Sequence, residues 1–262
     1  MGTSILVEKK GRVGVVTINR PEVKNAFDEP ARKEFRDVLR ELRQDKAIRV
    51  IILTGAGDSF STGQDLKSMY GTPPDKMRWL TDFGRLMILE IMTGNEHNDD
   101  PKEFWDALAH DENPKFEISE KWKPVIAQVN GYAIGGGCEI ACACDFRFAG
   151  EKAVFQLPEI DMRLFPAWGG TQSAVSVLGT PGAKQMIFTG EKIPAQKAKE
   201  IGLVHDIFKD ADLPDETMKF AKSLAQKHPE TLRFAKILVD QPRGAVLLKG
   251  LALEHEYLWK LS

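Results

Sequence analysis

Residues 125–145 read VIAQVNGYAIGGGCEIACACD, and the change of character along that stretch decides the fold class. Val125 to Val129 form an apolar, partly β-branched run suited to a strand buried on both faces, and Asn130-Gly131 is a turn signal. Gly135 to Gly137 let the backbone approach a ligand closely, because no Cβ stands in the way. Residues 137–144 are almost all apolar, which predicts a buried helix whose free N–H groups and positive dipole end lie at the glycines. Glu139, in the first turn, is the exception. A carboxylate inside an apolar helix is costly unless it is paired, protonated or in use. Glu139 is therefore either an acid stabilised by the helix dipole or a group that moves a proton beside an oxyanion site.

Upstream of this stretch, strands and helices alternate. Residues 5–8 and 13–19 read as two strands about the Gly11-Arg12 turn, a hairpin. Residues 30–44 follow as an amphipathic helix with Phe35, Val38, Leu39 and Leu42 on one stripe and Pro30 in its first turn. Residues 50–53 are a continuous apolar strand, and strand, helix, strand in that order implies a crossover and a mostly parallel sheet. Downstream the chain turns helical, with helices expected at 170–178, 181–188, 195–201, 215–227, 230–239 and 243–259. The fold class is α/β with a helical C-terminal region.

Residues 70–123 break the alternation. A helix-like run over 76–92 is followed by the polar stretch 94–101 and a short helix near 104–109, and the acids and turn formers there suggest a mobile surface excursion. His97 and His110 fall within it and read as solvated rather than as ligands.

Composition excludes several function classes. With 262 residues, 42% hydrophobic and a net charge of −2, the chain can bury a full core but offers no basic surface for nucleic acid. It contains no run of about 18 apolar residues to span a bilayer, and residues 1–10 lack the apolar segment of a signal peptide, so a cytoplasmic protein with no membrane partner is expected. Cys138, Cys142 and Cys144 are the only cysteines and share the expected buried helix; with no histidine nearby they read as core packing, and no metal is expected.

Two further segments carry candidate chemistry. Phe60 to Lys67 place Gly63-Gln64-Asp65 where a loop turns into a short helix, and the N–H of Gln64 paired with that of Gly136 makes a two-donor hole for a carbonyl oxygen. An ordinary strand-to-helix turn with Asp65 in the first helical turn fits the same residues. Residues 155–160 set Glu159 among apolar neighbours, ahead of residues 165–172 with their Gly169-Gly170 pair. Two carboxylates converging on one water can share duties, since like charges keep one of them protonated near neutrality. Taken alone, Glu159 equally fits a solvated loop acid or a salt-bridge partner.

Together these segments resemble the enoyl-CoA hydratase/isomerase, or crotonase, family. The likeness runs from Ile5 to about Tyr257 and includes Asn19-Arg20-Pro21 with Asn25-Ala26, residues 60–67, residues 130–139, Pro158-Glu159 and Gly169-Gly170-Thr171-Gln172. Several motifs in order form a specific signal where one glycine cluster would be weak. The resemblance implies a crotonase-like spiral of β-β-α turns over residues 1–190, with 70–123 as an extended insertion. It implies a helical region over 191–262 that serves trimerisation and capping, in a homotrimer or homohexamer. It also implies that the N–H groups of Gln64 and Gly136 hold a thioester oxygen, and that Glu139 and Glu159 are the two glutamates of the hydratases, one activating water and one supplying a proton. Ala26, Ser61, Thr62, Gly63, Asp65, Leu66 and Lys67 match the segment lining the CoA path.

The expected reaction is addition of water to a 2-enoyl-CoA, an acyl-CoA lyase activity needing no cofactor because CoA is part of the substrate. A double-bond isomerase, an acyl-CoA thioester or ring hydrolase, and a CoA-binding scaffold without turnover are the alternatives. Where the family commonly has alanine this chain has Gln64, and where it commonly has a small residue this chain has Trp168, which either narrows the acyl pocket or packs the core. The long 70–123 segment leaves the chain-length preference open. Relatives usually continue beyond the position of Ser262 into a helix that helps close the CoA site, so that part is either dispensable here or outside this sequence.

Overall fold

The computed structural model describes residues 3–97, 100–258 and 260; Asn98, Asp99 and the expected helix end at Trp259 lie outside the described residues. Strands β1 (Ile5–Lys10) and β2 (Val13–Ile18) pair antiparallel as the expected hairpin. Helix α1 (Glu29–Gln44) starts where the Asp28 side chain accepts the Ala31 N–H at 2.9 Å, and it buries Phe35, Leu39 and Leu42. Strand β3 (Val50–Gly55) then runs parallel to β2 and is buried along its whole length.

From β3 onward the chain repeats one move. β3 lies in the first sheet and β4 (Ser59–Ser61) in the second; β5 (Val125–Val129) returns to the first and β6 (Tyr132–Ile134) to the second; β7 (Phe146–Gly150) and β8 (Val154–Gln156) do the same. Pairings β3–β5–β7 and β4–β6–β8 are parallel, so successive turns stack into a spiral. Asn130 holds adjacent turns together: its side chain accepts the Gly55 N–H at 3.1 Å and donates to the Gly55 carbonyl at 2.9 Å. Asn25, fully buried, donates to the Ala56 and Ser59 carbonyls and fixes the first bend. These two side chains satisfy backbone groups where the chain leaves the sheet and no ladder can.

Part of the segment expected to be a surface excursion is core. Helix α2 (Pro74–Thr93) buries Leu80, Phe83, Leu86, Met87, Ile88, Leu89 and Ile91, and Arg36 of α1 meets its Glu90 in a fully buried ion pair at 2.6 Å. Apolar residues occupy almost the whole circumference of α2, so water is excluded on every side of its second half. Helix α3 (Pro101–Ala109) packs the fully buried Trp105 against α2 and the C-terminal helix. His110 is exposed, but His97 is half-buried with its ring 4.4 Å from Phe104.

Helix α4 (Gly136–Ala143) is buried throughout, with the three thiols free in the core. Helix α5 (Gly170–Thr189) is two helices joined at a kink, Gly179 at φ +66°, which matches the separate expectations for 170–178 and 181–188. Strand β9 (Ile193–Pro194), helix α6 (Ala195–Glu200), strand β10 (Asp206–Phe208) and helix α7 (Leu213–Leu224) lead to α8 (Pro229–Leu258). The two helices expected at 230–239 and 243–259 are this one helix, continuous through Pro242. Proline removes one hydrogen bond, to the carbonyl of Leu238, and both residues are exposed, so water can satisfy that carbonyl. Among the described residues no helix is long and apolar enough to cross a membrane.

Candidate active site

The spiral brings the exits of β4, β6 and β8 to one cleft of about 610 Å³. The loop after β4 is held to Phe27 by a single parallel bridge: the Phe27 N–H donates to the Gly63 carbonyl at 2.7 Å and the Asp65 N–H to the Phe27 carbonyl at 3.0 Å. Alternation along an extended chain turns the Gln64 N–H away from that bridge. Gly63 sits at φ +74°, and a Cβ there would lie 2.5 Å from the Gly136 nitrogen, so the two loops touch through bare backbone. Gly136 opens α4, where first-turn N–H groups have no partner in their own helix. Among the described backbone hydrogen bonds neither the Gln64 nor the Gly136 N–H donates, and both residues line the cleft.

Two acids line the same cleft. Glu139, buried at 2% exposure, projects from the first turn of α4, and its Oε1 accepts the Trp168 N–H at 2.8 Å and the Gly170 N–H at 2.7 Å. Glu159 begins the 3-10 turn after β8 and is 9% exposed, with Oε2 buried and without a hydrogen-bond partner. Burial, the Glu159 charge and the Glu254 charge push the Glu139 carboxyl well above the usual carboxylate range, against the two N–H bonds. Burial likewise pushes Glu159 up to about 7. Such a pair retains a proton near neutrality.

Trp168 forms part of the cleft wall, yet only 4% of it is exposed. Cβ atoms built at Gly84 of α2 and Gly136 of α4 would lie 2.4 and 2.5 Å from its indole, so the ring is wedged where both helices lack side chains. It thus packs the core and occupies the site at once. On its other side the guanidinium of Arg32, fully buried, lies 4.4 Å from the ring and donates to the Gln64 side chain and the Leu80 carbonyl. Burial pushes Arg32 down to about 9.

Of the residues expected along the CoA path, Ala26, Thr62, Asp65, Leu66 and Lys67 line the cleft with Gln64 and Trp168. Ser61 and Gly63 lie behind that wall: the Ser61 hydroxyl donates to the Asn25 carbonyl at 2.8 Å and accepts the Gly63 N–H at 3.1 Å, so it shapes the loop from within. Asp65 accepts the Lys67 and Ser68 N–H groups and pairs with Arg20. Sequence reasoning missed Arg32, Gly84 and Glu254. The signal for Glu254 was weak, because it ends the apolar run 251–253 and is followed by His255 and Glu256, whereas Glu139 has apolar residues on both sides. Among the described residues no group of three or more His, Cys, Asp or Glu side chains could hold a metal ion.

Comparison with known proteins shows the family and the fold. Residues 8–92 and 89–261 match the family model described as enoyl-CoA hydratase/isomerase. The chain is 34% identical over 254 residues to a short-chain-enoyl-CoA hydratase of Clostridium acetobutylicum, covering 97% of this chain and 87% of that protein. It is 32% identical over 254 residues to a crotonyl-CoA hydratase of Syntrophomonas wolfei, covering 96% and 86%. The crystal structure of an enoyl-CoA hydratase/isomerase from Xanthobacter autotrophicus Py2 superposes with a TM-score of 0.82 at 26% identity, over 100% of this chain and 88% of that one.

Proposed function

The chain belongs to the enoyl-CoA hydratase/isomerase family, and we propose that it is a hydratase that adds water across the double bond of a 2-enoyl-CoA thioester. The observation that carries this reading is the presence of two buried glutamates and two undonated N–H groups on one cleft. The thioester oxygen sits between the N–H groups of Gln64 and Gly136. As water adds at Cβ, the π electrons move toward that oxygen, and preorganised donors stabilise the enolate more than the ground-state carbonyl.

The glutamates divide the protons. Burial lifts both acids, but within the pair it is Glu139 that receives two N–H bonds from other residues, which support its carboxylate form, so it takes the proton from water as the oxygen bonds to Cβ. Glu159 has an oxygen without a partner, which favours its neutral form, so it delivers a proton to Cα as the enolate collapses. Dehydration runs through the same transition state in reverse. The step requires no cofactor beyond the CoA carried by the substrate, whose path follows Ala26, Thr62, Asp65, Leu66 and Lys67. The wedged Trp168 supports a short acyl group at the inner end. The assembly is a homotrimer or homohexamer, a reading supported by the exposed apolar side chains of α8, Leu238 at 75% and Val239 at 74%.

Loss of the conjugated-thioester absorbance of crotonyl-CoA tests the reaction. Glu139→Gln and Glu159→Gln are each expected to lower the hydration rate by about 10²-fold or more. Full activity in both variants overturns the proton-transfer roles, and migration of the double bond without water uptake points to an isomerase.

A further inference from the structure

The turn over residues 168–171 lies between two carboxylates. Its four successive N–H groups alternate: Trp168 and Gly170 donate to Glu139 at 2.8 and 2.7 Å, while Gly169 and Thr171 donate to Glu254 of α8 at 2.8 and 3.2 Å. The Thr171 hydroxyl also donates to Glu254. Both acids are buried, Glu254 at 4% exposure, so neither set of bonds competes with water. Glu254 is anchored in turn from α2, where the Arg85 Nε lies 3.4 Å away and the Arg85 Nη1 bonds Asp82 at 2.7 Å. Moving Glu254 moves the peptide planes that Glu139 leans on.

Three carboxylates, Glu139, Glu159 and Glu254, thus share one buried region. Glu254 has a guanidinium and three donors, whereas Glu159 has an oxygen with no partner. Like charges at close quarters in a poorly solvated region cannot all be ionised, and the proton stays where support for the anion is weakest. The other titratable groups around this cluster are Arg85 and Asp82 from α2, Arg78 of α2, 3.9 Å from Asp82 and 3.0 Å from His255, His255 on α8, which bonds Asp82 at 2.9 Å and Asp106 of α3 at 3.1 Å, and on α4 the Cys138 thiol with Cys142 beyond it.

Resting on the hydratase reading, we propose that Glu254 is the positioning residue of the reacting pair: it clamps the 168–171 turn in the geometry that presents two N–H groups to Glu139, and its charge opposes full ionisation of Glu139 and Glu159. A carboxylate on the last helix is thereby tied to proton transfer at the spiral's glycine loops.

The test is a pair of readouts on the full chain, of which the first needs no turnover. Infrared titration follows the buried carboxylic-acid band. Glu254→Gln, which keeps the shape and removes the charge, is expected to move the pH midpoints of that band down by about one unit, and Glu254→Asp, which keeps the charge, to leave them in place. The second readout is crotonyl-CoA kinetics. Thr171→Val, a milder variant that deletes only the hydroxyl donor, is expected to lower kcat about three- to tenfold with KM within about twofold. Unmoved midpoints in Glu254→Gln, or a Thr171→Val effect confined to KM, overturn the proposal. A wild-type chain that fails to hydrate any enoyl-CoA while the midpoints still shift overturns the hydratase reading and leaves the electrostatic role of Glu254 standing.

Discussion

At Glu159 the cost of function can be separated from its benefit. Burial raises its carboxyl from an ordinary 4.5 to about 7, so in the folded chain it holds a proton over a pH range where the unfolded chain has released it. Stability from this group is therefore present below about pH 4.5 and is lost as pH rises through about 7. Glu159→Gln carries no such charge, so its stability relative to wild type is expected to improve between pH 5 and 8 by about 1–3 kcal/mol, while hydration falls. Urea unfolding at the two pH values checks this, and a difference that does not change with pH removes the argument. Both acids stood out in the sequence because each interrupts an apolar run, and burial is what such an interruption makes expensive. Arg32 gave no comparable signal: it sits on an amphipathic helix among other arginines, and only packing shows that it lies under Trp168.

Segments bring these side chains together by approaching through glycine. Gly63→Ala strains a φ of +74° and places a methyl 2.5 Å from the Gly136 nitrogen, so the two N–H donors are expected to separate and hydration to fall by about 10²-fold or more, with cooperative unfolding retained. Trp168 forms part of the cleft wall, wedged between α2 and α4. Trp168→Ala is expected to raise the ratio of activity on octenoyl-CoA to that on crotonyl-CoA by about tenfold or more, since each methylene accommodated in an apolar pocket is worth about 1–3 kcal/mol. An unchanged ratio would leave the indole with a packing role only. Helix boundaries were legible from periodicity nearly everywhere, as for α1 and α4. The errors came where periodicity says nothing: the polar residues following α2 made the whole of 70–123 read as surface, although the second half of α2 is buried, and the gap expected between 239 and 243 is bridged by one helix whose Pro242 is exposed to water.

Across the molecule, the six-stranded and four-stranded sheets share one core, and α8 packs back over α2, α3 and α5. Its outer side leaves Phe234, Leu238, Val239 and Val246 exposed, which supports the proposed association of chains. Leu238→Glu is expected to lower the mass measured by light scattering from that of an oligomer toward a single chain; a wild-type chain already of single-chain mass would sink the trimer reading. What the sequence by itself determined was local: which runs form strands and helices, which glycines stand in for absent side chains, and which two acids are out of place, because period, propensity and burial cost are properties of neighbouring residues. The tertiary structure alone decided the convergence. Gln64, Gly136, Glu139 and Glu159 reach one cleft because successive turns of the spiral stack in register, and Glu254 meets the 168–171 turn behind it because the last helix folds back; contacts between residues so far apart along the chain leave no periodic trace within it.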